Sequence, residues 1–533
     1  MKKAGKKAFG LLICAMLLGS VLAACSSESD AESGGSASAP APASDSSAPA
    51  SASASEKPVT IRIFNRVNAQ VVIDDNPVIK EAEKLAGVKL EVEAPPINNY
   101  QDKLQVMMAS GDLPDLIYNW AAADSNMETW AANGLLAPLD DKIGNYPNLM
   151  KNITKEMWDS VKSVNDGHIY LIPRPNIVNH WGYMINQTWL DKLGLKAPTT
   201  LDEMLDVCRA FVKNDPDGNG KPDTYCLSFS NPTLGNNTIW NASNFLASAF
   251  ALPTAYGVKD TDGQYKLREK MTGYLPYLTY LKQLNDEKLI DPEFLINKIY
   301  VDQDKLNQNR VGIIYSHQYG VMGNLSKNPD SDKLFTYHAP LKDKDGAAHS
   351  WVGPAIWGGW MISKDSKNVD AVLKFLDWGN TPEATQLFQL GLKGMTYDSY
   401  DPATRAVSRT PDQAARLAQT TSTYMTVANA IDGNASIIEG ADTPERMQKF
   451  NDQLNAAMQQ IKVVNVPGVR SPKILNLNNS IPDLVKKKDD EEMKYVLGKI
   501  TLEQYRSFLE KEWFPATADA EKEYVDYMNQ VAP

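Results

Sequence analysis

Strand-like and helix-like segments alternate regularly at the start of the globular body, and this order limits the possible folds more than any other pattern in the chain. Apolar residues recur at every second position in the strands and at helical spacing in the helices. Asn76 and Pro77 are typical of a helix start, and Gly87 is typical of a helix end. The segments are strand 59–64, helix 77–86, strand 88–92, helix 100–110 and strand 115–118. This β-α-β-α-β order predicts an α/β sheet with right-handed crossovers.

Helical spacing of apolar residues continues along the rest of the chain. A short strand is predicted over 311–314. No internal repeat is visible, and 533 residues are enough for two domains or one large bilobal unit. The clearest further helices are 201–213, 274–287, 369–379, 382–390, 445–461 and 502–512.

The N-terminus has the pattern of an export signal. MKKAGKK is basic, and residues 8–24 are apolar with a small-residue end. This run is short for a membrane-spanning helix, so a retained membrane anchor is the less favoured alternative. The sequence LAAC ending at Cys25 resembles the processing site of bacterial lipoproteins, in which the cysteine becomes the new N-terminus and carries acyl chains such as palmitate. We therefore predict a lipoprotein signal peptide over 1–24 and lipidation at Cys25.

The segment after the signal is almost entirely Ser, Ala, Pro, Gly and acidic residues, and it contains no aromatic residue. Such a segment cannot build a core, so 25–58 is predicted to be a disordered tether. With a lipid at one end, the tether would hold a globular body near a membrane surface outside the cell.

Charge and cysteine content limit the partners and the covalent cross-links. Lys and Arg total 54 against 65 Asp and Glu, a net charge of −11. An acidic body binds polyanions poorly, so nucleic acid is not an expected partner. Cys208 and Cys226 lie in the body, and export permits a disulfide between them that would close one loop. Two buried free thiols are the alternative, because sequence does not place their Cα atoms.

Polar and aromatic residues follow two of the predicted strands. Asn65 and Arg66 follow the first strand, and Asn119 and Trp120 follow the third. In open α/β sheets the loops after the carboxyl ends of strands line the ligand crevice. Sugar rings have apolar faces ringed by hydroxyls, which suit flat aromatic side chains together with Asn, Arg and His. These loops are therefore candidate sugar contacts, although Arg66 could equally form a salt bridge inside a lobe.

Several segments together resemble extracellular solute-binding protein family 1, and in particular the lipoprotein substrate-binding subunits of ABC oligosaccharide importers. Their order and spacing carry the resemblance, which runs from about residue 59 to the C-terminus. The segments are MMASGDLPDLI (107–117), NGLLAPLDDKI (133–143), DGHIYLIPRP (166–175), MINQTWLDKLGLKAPTTLDEM (184–204) and GGWMISKDSKNVDAVLKFLDWGNTPEATQLFQLGLKG (358–394).

The resemblance implies a bilobal, type II periplasmic-binding-protein-like fold of two α/β lobes joined by a hinge. The implied N-lobe is 59–173 with 341–397, and the implied C-lobe is 174–340 with 398–533. An oligosaccharide would bind in the cleft between the lobes, and the closed form would dock onto the permease subunits of an ABC importer. The protein would act as a monomer, lipid-anchored on the extracellular face of the cell membrane, and the tether suits a Gram-positive cell.

By the same resemblance, Trp120, Trp181 and the segment from Trp351 to Trp360 fall where the family lines its cleft. Tryptophan is usually buried as packing, so core positions are the alternative for each of them. Arg174 could equally be a salt-bridge partner, and each histidine could be a satisfied polar side chain. The predicted substrate-binding residues are Asn65, Arg66, Asn119, Trp120, Arg174, His180, Trp181, Trp240, Tyr315, His317, Trp351, Trp357 and Trp360.

One loop has the spacing of a calcium site. Oxygen-bearing side chains at alternate residues, with glycine at the bend, match the EF-hand loop up to its ninth position. The twelfth position is Cys226 rather than Glu, and Thr224 stands where similar relatives carry a carboxylate. We expect a structural Ca²⁺ here, and a turn cluster without metal is the alternative. The predicted ligands are Asp215, Asp217, Asn219, the backbone carbonyl of Lys221, and Asp223.

The sequence gives no positive sign of catalysis. It lacks the Gly-x-Ser-x-Gly elbow, the His-Glu-x-x-His zinc motif and the phosphate loop. We therefore predict a receptor and not an enzyme. A glycoside hydrolase needs only two carboxylates and is one alternative. A peptide-binding or peptide-sensing lipoprotein is the other, and it would show paired charges for the peptide termini rather than several tryptophans.

Overall fold

The structure is a computed structural model that describes most of the body of the chain. The predicted signal (1–24), all but the last residue of the predicted tether (25–58), Cys25 and Trp240 lie outside the described residues. Within the described residues, no helix is both long enough and apolar enough to cross a membrane. The described residues are 58–532 without 176–179, 231–242, 254–255, 299, 318–319, 325–327, 329, 354, 403–406, 423–424, 426, 428–443 and 467.

Strands and helices alternate along the described part of the chain. The strands, in chain order, are β1 Thr60–Phe64, β2 Lys89–Glu93, β3 Leu116–Asn119, β4 Leu171–Pro175, β5 Trp181–Asn186, β6 Tyr225–Ser228, β7 Val311–His317, β8 Phe335–His338, β9 Ala348–Val352, β10 Ile356–Ile362, β11 Ser399–Tyr400, β12 Val407–Ser408 and β13 Ile461–Asn465. The α-helices are Pro77–Ala86, Ile97–Ser110, Ser125–Ala132, Asp140–Ile143, Pro147–Asn152, Lys155–Ser160, Gln187–Leu193, Leu201–Lys213, Asn244–Ala247, Tyr274–Asp286, Val301–Asn307, Gly320–Asn324, Ser331–Leu334, Val369–Gly379, Pro382–Leu390, Pro411–Thr420, Pro444–Met458, Pro472–Leu475, Leu477–Ser480, Pro482–Val496, Leu502–Phe508 and Phe514–Val531.

The first helix shows why its ends were predictable. The Asn76 side chain accepts hydrogen bonds from the backbone N–H groups of Val78 and Ile79, at 2.9 and 3.3 Å. Pro77 occupies the first helical turn, where its missing N–H costs nothing. Gly87 ends the helix in the left-handed conformation, with φ of 69°. These local contacts confirm the predicted helix 77–86.

Two predicted helices end earlier than expected. Pro444–Met458 stops before Ile461 because the chain turns there into β13, where pairing with β9 replaces the helical hydrogen bonds. The predicted helix 502–512 is α-helical over Leu502–Phe508 and continues as a π-turn over Leu509–Trp513.

The first sheet has five strands in the order β2-β1-β3-β10-β4. β1 runs parallel to β2 and β3, whereas β10 runs antiparallel to β3 and β4. Its apolar core includes Ile61, Leu116, Ile172 and Leu373. The β-α-β-α-β order predicted for the start of the body is therefore confirmed, and a strand from far along the chain completes this sheet.

The second sheet has four strands in the order β6-β7-β5-β8. β7 is parallel to β6 and antiparallel to β5. Its main core includes Ile185, Phe211, Leu281 and, from the C-terminal helices, Tyr505. The two sheets therefore have separate cores, and the body consists of two α/β lobes.

Three stretches of chain connect the lobes. The chain passes from β4 to β5, and again from β8 to β10. Within the second passage, β9 pairs in parallel with β13, so these two strands form a ribbon between the sheets. Met425 and Val427, which we assigned to the C-lobe, pack in the first core. The packing therefore departs from the predicted boundary at residue 398 over this stretch, because it follows buried apolar contacts; the other lobe boundaries stay predictions.

Cys208 and Cys226 are bonded in the structure, with their Cα atoms 4.8 Å apart. Cys208 lies on helix Leu201–Lys213 and Cys226 lies on β6. The disulfide therefore ties a helix to the second sheet and closes the loop between them, which is the loop of the predicted calcium ligands.

A buried charged network stabilises the C-terminal helices against the second core. Lys488 Nζ lies 2.7 Å from Asp489, 3.6 Å from Glu269 and 3.8 Å from Glu492. The Tyr274 hydroxyl donates a hydrogen bond of 2.8 Å to Glu492. Burial lowers the pKa of Lys488, but the three carboxylates outweigh that effect and raise it above its ordinary value. Burial raises the pKa of Glu492 to about 7, although Lys488 opposes this shift.

Glu492 should make the stability of the body depend on pH. The unfolded chain releases this proton near 4.5 and the folded protein near 7, so the folded state binds more protons between these values. The free energy of unfolding should therefore fall as pH rises from about 4.5 to about 7, by up to about 3 kcal/mol. Denaturant unfolding of Glu492→Gln should show a shallower fall over this range. The exposed Glu510→Gln is the matched control, and equal slopes in the two variants would contradict the assignment.

Candidate functional site

The parallel pairing of β1 and β3 brings two of the predicted loops together. Phe64 at the end of β1 pairs with Ile117 in β3. Both strands run in the same direction, so their carboxyl ends lie at the same edge of the sheet. Arg66 and Trp120, which follow these ends, therefore meet at that edge.

The antiparallel strand β10 brings two more predicted residues to the same edge. Gly359 pairs with Asn119 on one side and with Pro173 on the other. Trp357 lies two residues before Gly359 in β10, and Arg174 follows Pro173 in β4. We call Arg66, Trp120, Arg174 and Trp357 the arginine–tryptophan cluster.

The guanidinium groups of this cluster lie over the indole rings. The central guanidinium carbon of Arg66 is 2.8 Å from the Trp120 ring centroid and 5.7 Å from that of Trp357. The corresponding carbon of Arg174 is 5.2 Å from the Trp357 centroid. The two indole rings meet edge to face, 6.0 Å apart at 89°. Arg66 and Arg174 are 0% and 1% exposed, whereas both tryptophans are half-buried. The arginines therefore lie behind the rings, and the rings form the accessible part of the cluster.

Tyr118 and Gly358 fix the position of Trp357. The Tyr118 hydroxyl donates a hydrogen bond of 2.6 Å to the Trp357 carbonyl. Gly358 has φ of 71°, and a Cβ there would lie 2.3 Å from the Asn119 carbonyl oxygen. Only glycine fits such a close approach in this conformation. Sequence reasoning missed Tyr118, because its role depends on a contact with a residue 239 positions away.

Asn65 and Asn119 are buried and hydrogen-bonded within their own loops. The Asn65 side chain accepts a hydrogen bond of 2.8 Å from the Arg66 backbone N–H. The Asn119 amide donates to the Ala122 carbonyl at 2.7 Å and to Asp124 at 3.0 Å. These contacts shape the loops that carry Arg66 and Trp120. Both asparagines were predicted as ligand contacts, and their observed contacts are structural.

The structure places Trp360 away from any accessible surface. Trp360 is 2% exposed, packs against Tyr118 and donates its indole N–H to the Val427 carbonyl at 2.8 Å. The prediction that it contacts a ligand is therefore wrong for this structure, because its ring fills the first core and its polar atom is already hydrogen-bonded.

A second aromatic cluster lies on the second sheet. Trp181 in β5 pairs with His317 in β7. The Trp181 ring stacks on Tyr315 at 4.6 Å and 10°, and it meets His317 edge to face at 5.4 Å. Trp181 is 36% exposed, so a ligand can reach it. Burial lowers the pKa of His317 to about 4, so this histidine is neutral at physiological pH. We call these three residues the Trp181 cluster.

His180 and Trp351 lie on the chain that connects the two sheets. His180 Nδ1 is 3.3 Å from Ser350 Oγ in β9, and the Tyr337 hydroxyl donates to the His180 carbonyl at 2.8 Å. Trp351, also in β9, stacks on His349 at 5.4 Å and 13°. Both predicted residues are half-buried and lie beside the β9–β13 ribbon, where each lobe is within reach.

A polar contact between the lobes was not expected from the sequence. Arg470, which follows β13, donates a hydrogen bond of 2.9 Å to the Ser160 carbonyl and lies 3.5 Å from the Glu128 carboxylate. Glu128 is completely buried and also accepts hydrogen bonds from Ser163 and Asn165, at 2.7 and 3.1 Å. Its position inside an otherwise ordinary helix pattern gave no signal of this role.

The predicted calcium ligands gather in the loop that the disulfide closes. The Asn219 amide donates hydrogen bonds to Asp217 and Asp223, at 2.6 and 3.0 Å. Asp215 accepts from the Gly220 backbone N–H at 2.9 Å. Burial and the neighbouring Asp215 raise the pKa of Asp217, whereas hydrogen bonds from Asp217 and from Gly220 lower that of Asp215. The acidic groups are therefore close enough to affect one another.

One oxygen atom in this loop fits a metal ligand. Asp215 Oδ1 is buried and accepts no hydrogen bond among the described residues. Lys221 donates its backbone N–H to Asn219 at 2.8 Å, which leaves its carbonyl for another partner. In the described part of the chain, three His, Cys, Asp or Glu side chains nowhere converge in the arrangement of a metal site. The loop therefore has oxygen ligands of the right type, but they are bonded to one another in this structure.

The sequence and the fold match known proteins over most of the body. A family model described as bacterial extracellular solute-binding protein matches residues 72–386. The polygalacturonan/rhamnogalacturonan-binding protein YtcQ of Bacillus subtilis strain 168 is 26% identical over 440 residues, which are 81% of this chain and 84% of that protein. Lipoprotein LipO of the same strain is 31% identical over 339 residues, which are 62% of this chain and 65% of that protein.

Two solved structures share the bilobal fold. The Streptococcus pneumoniae ABC-transporter substrate-binding protein FusA, in complex with kestose, has a TM-score of 0.68 and 21% identity, over 89% of this chain and 99% of that chain. The alginate-binding protein AlgQ2, in a structure without calcium ion, has a TM-score of 0.67 and 20% identity, over 89% of this chain and 99% of that chain. At these identities the likeness shows the fold alone.

Proposed function

The chain belongs to the bacterial extracellular solute-binding protein family, and we propose that it is the receptor of an ABC importer that binds an oligosaccharide between its two lobes. The observation that carries the proposal is an aromatic cluster on each sheet, with Trp120 and Trp357 on one and Trp181 on the other. Flat rings stack on the apolar faces of sugars. The names of YtcQ and of the FusA complex, which refer to saccharides, support the same ligand class.

The two-lobed fold gives this receptor a way to signal that it is loaded. A ligand that touches both clusters binds the closed arrangement more tightly than the open one, and its binding energy therefore shifts the equilibrium towards closure. The closed form would then be recognised by the membrane permease, to which the ligand passes intact. The receptor itself changes no covalent bond. The peptide-binding and glycosidase alternatives are weaker, because the family and its relatives are binding proteins of transporters and two of the names refer to saccharides.

We also propose that Cys25 carries a lipid and holds the receptor on the extracellular face of the membrane. The LAAC sequence at the end of the apolar segment supports this, as does the name of the relative LipO, which is a lipoprotein. Two or more acyl chains would make the anchoring stable, because each buried CH₂ contributes about 0.8 kcal/mol.

Removing either accessible tryptophan should weaken sugar binding. Trp120→Ala and Trp181→Ala should each raise the Kd for an oligosaccharide at least tenfold, or about 1.4 kcal/mol, because each loses one stacking surface. Trp120→Phe and Trp181→Phe keep a ring and should recover part of the affinity. Isothermal titration with ligands found by a thermal-shift screen of oligosaccharides and short peptides measures these changes.

The matched control is Trp378→Ala, because Trp378 is also half-buried but packs against Phe375 on a helix, outside both clusters. It should bind the ligand normally once folded. Unchanged affinity in both cluster variants would remove the proposed site. Stabilisation by peptides alone, or recovery of a cleaved sugar, would overturn the proposed function.

We propose further that the loop from Asp215 to Asp223 binds a structural Ca²⁺. The buried Asp215 Oδ1 and the neighbouring carboxylate of Asp217 support this, since oxygen ligands at alternate residues suit a hard cation. The ion would take over the contacts that Asn219 now makes with Asp217 and Asp223. The disulfide would assist it by closing the same loop.

Calcium removal should lower the melting temperature of the protein. A ligand that binds only the native state stabilises it by mass action, so a hundredfold excess over Kd contributes about 2.7 kcal/mol. Differential scanning calorimetry with EGTA and with added Ca²⁺ measures the effect. Asp217→Asn should remove most of the calcium response, whereas Asp262→Asn, in another exposed turn, should keep it. A melting temperature that is the same with and without Ca²⁺ would mean that the loop is only a turn.

Lipidation should depend on one atom, the sulfur of Cys25. Cys25→Ser should move the full chain from the membrane fraction to the medium, because serine cannot form the thioether. Fractionation and mass spectrometry of the mature N-terminus measure this. Cys14→Ser, inside the apolar segment, is the matched control and should leave the protein on the membrane. Membrane retention of Cys25→Ser would show that the apolar segment itself is the anchor.

A further inference from the structure

The two aromatic clusters differ in charge, and this difference bears on the ligand. In the arginine–tryptophan cluster, a buried guanidinium lies behind each indole ring, Arg66 behind Trp120 and Arg174 beside Trp357. We propose that the sugar unit bound over Trp120 and Trp357 carries a carboxylate, so that the ligand is an acidic, uronate-containing oligosaccharide. This inference rests on the proposed function and specifies its ligand.

The argument begins with the electrostatics of an aromatic ring. The face of an indole is negative and its edge is positive, so the face attracts cations and the C–H groups of neutral sugars. A guanidinium 2.8 Å from the Trp120 centroid uses one face and draws electron density away from the other. The opposite face therefore attracts neutral C–H groups less than an isolated indole would. A ligand that brings a negative charge close to the ring gains attraction instead.

The position of Trp357 adds a second cation to the same small area. The central guanidinium carbons of Arg66 and Arg174 lie 5.7 and 5.2 Å from the Trp357 centroid. The hydrogen bond from Tyr118 to the Trp357 carbonyl fixes the strand that carries this ring. Because both guanidinium groups are buried, their charge acts through a medium of lower dielectric constant than water. A carboxylate stacked over the ring pair would thus interact with two cations at once.

The Trp181 cluster provides the contrast. Trp181 stacks on Tyr315 and contacts His317, whose pKa burial lowers to about 4. Neither neighbour carries a positive charge at neutral pH. A neutral sugar unit therefore suits this cluster, and the two clusters together favour a ligand with its acidic unit on the first lobe.

The attraction has to be local. The chain as a whole carries a net charge of −11, so its long-range field repels anions. Selectivity for an acidic unit can therefore come only from cations at the site, which makes Arg66 and Arg174 specificity-determining residues rather than general contributors of charge.

The decisive experiment compares two ligands that differ only in their carboxylates. The probes are an oligogalacturonate and the same oligomer after chemical reduction of its carboxyl groups to primary alcohols. Calorimetry with the unaltered protein should give at least tenfold tighter binding of the acidic oligomer. Equal or tighter binding of the reduced oligomer would overturn this inference while leaving the proposed function in place. Binding of neither probe, or of any oligosaccharide in a wider screen, would count against both.

Variants then test which residues select the charge. Arg66→Met and Arg174→Met should each reduce the ratio of acidic to neutral affinity at least fivefold, whereas Arg66→Lys, which keeps the charge, should retain most of it. Arg62→Met is the matched control, because Arg62 lies on the same strand but is exposed. A merely structural role would weaken both ligands alike and leave the ratio unchanged, which would overturn the role of the arginines. The comparison of the two ligands on the unaltered protein needs no variant to fold.

Discussion

The register of β1, β3 and β10 is the constraint on which the candidate site depends. Because β1 and β3 are parallel, the residues after both strands emerge at one edge, and the antiparallel β10 returns a third segment to that edge. A slip of one residue in β10 would turn its alternate side chains to opposite faces of the sheet. Gly358 holds this register, since a Cβ there would overlap the Asn119 carbonyl. The cluster of two arginines and two tryptophans is thus a consequence of strand pairing before it is a matter of side-chain chemistry.

Local signals made most of the fold predictable from sequence. Helix caps are formed by neighbouring residues, so Asn76 and Gly87 mark the first helix without any knowledge of the rest of the chain. The return of β10 to the first sheet is different, because it joins residues more than 230 positions apart. That step came only from the resemblance to a known family. The packing of Met425 and Val427 in the first core shows the same limit, since nothing in their local sequence identifies the lobe they contact.

The candidate site was predictable as a set of positions but not as a set of contacts. Trp357 and Trp360 lie in the same strand, and a shift of register between Ile356 and Gly359 breaks the simple alternation of faces. Sequence therefore could not tell the half-buried ring from the one in the core. It also left open whether Arg66 and Arg174 contact a ligand or form salt bridges, and it did not suggest that they lie against indole rings. Such contacts depend on side-chain directions that only the folded structure fixes.

The separation of the aromatic clusters links ligand length to the conformational signal. A short ligand that touches only the Trp181 cluster gains the same stacking energy in the open and closed arrangements, so it cannot shift the equilibrium between them. A longer ligand that also reaches Trp120 and Trp357 gains energy only when the lobes approach. The β9–β13 ribbon and the contact of Arg470 with Glu128 and Ser160 already join the lobes, so closure has to occur by rearrangement around these connections. In such a receptor, selectivity for oligosaccharides over single sugars follows from geometry, because only a ligand that spans both clusters changes the state that the permease would recognise.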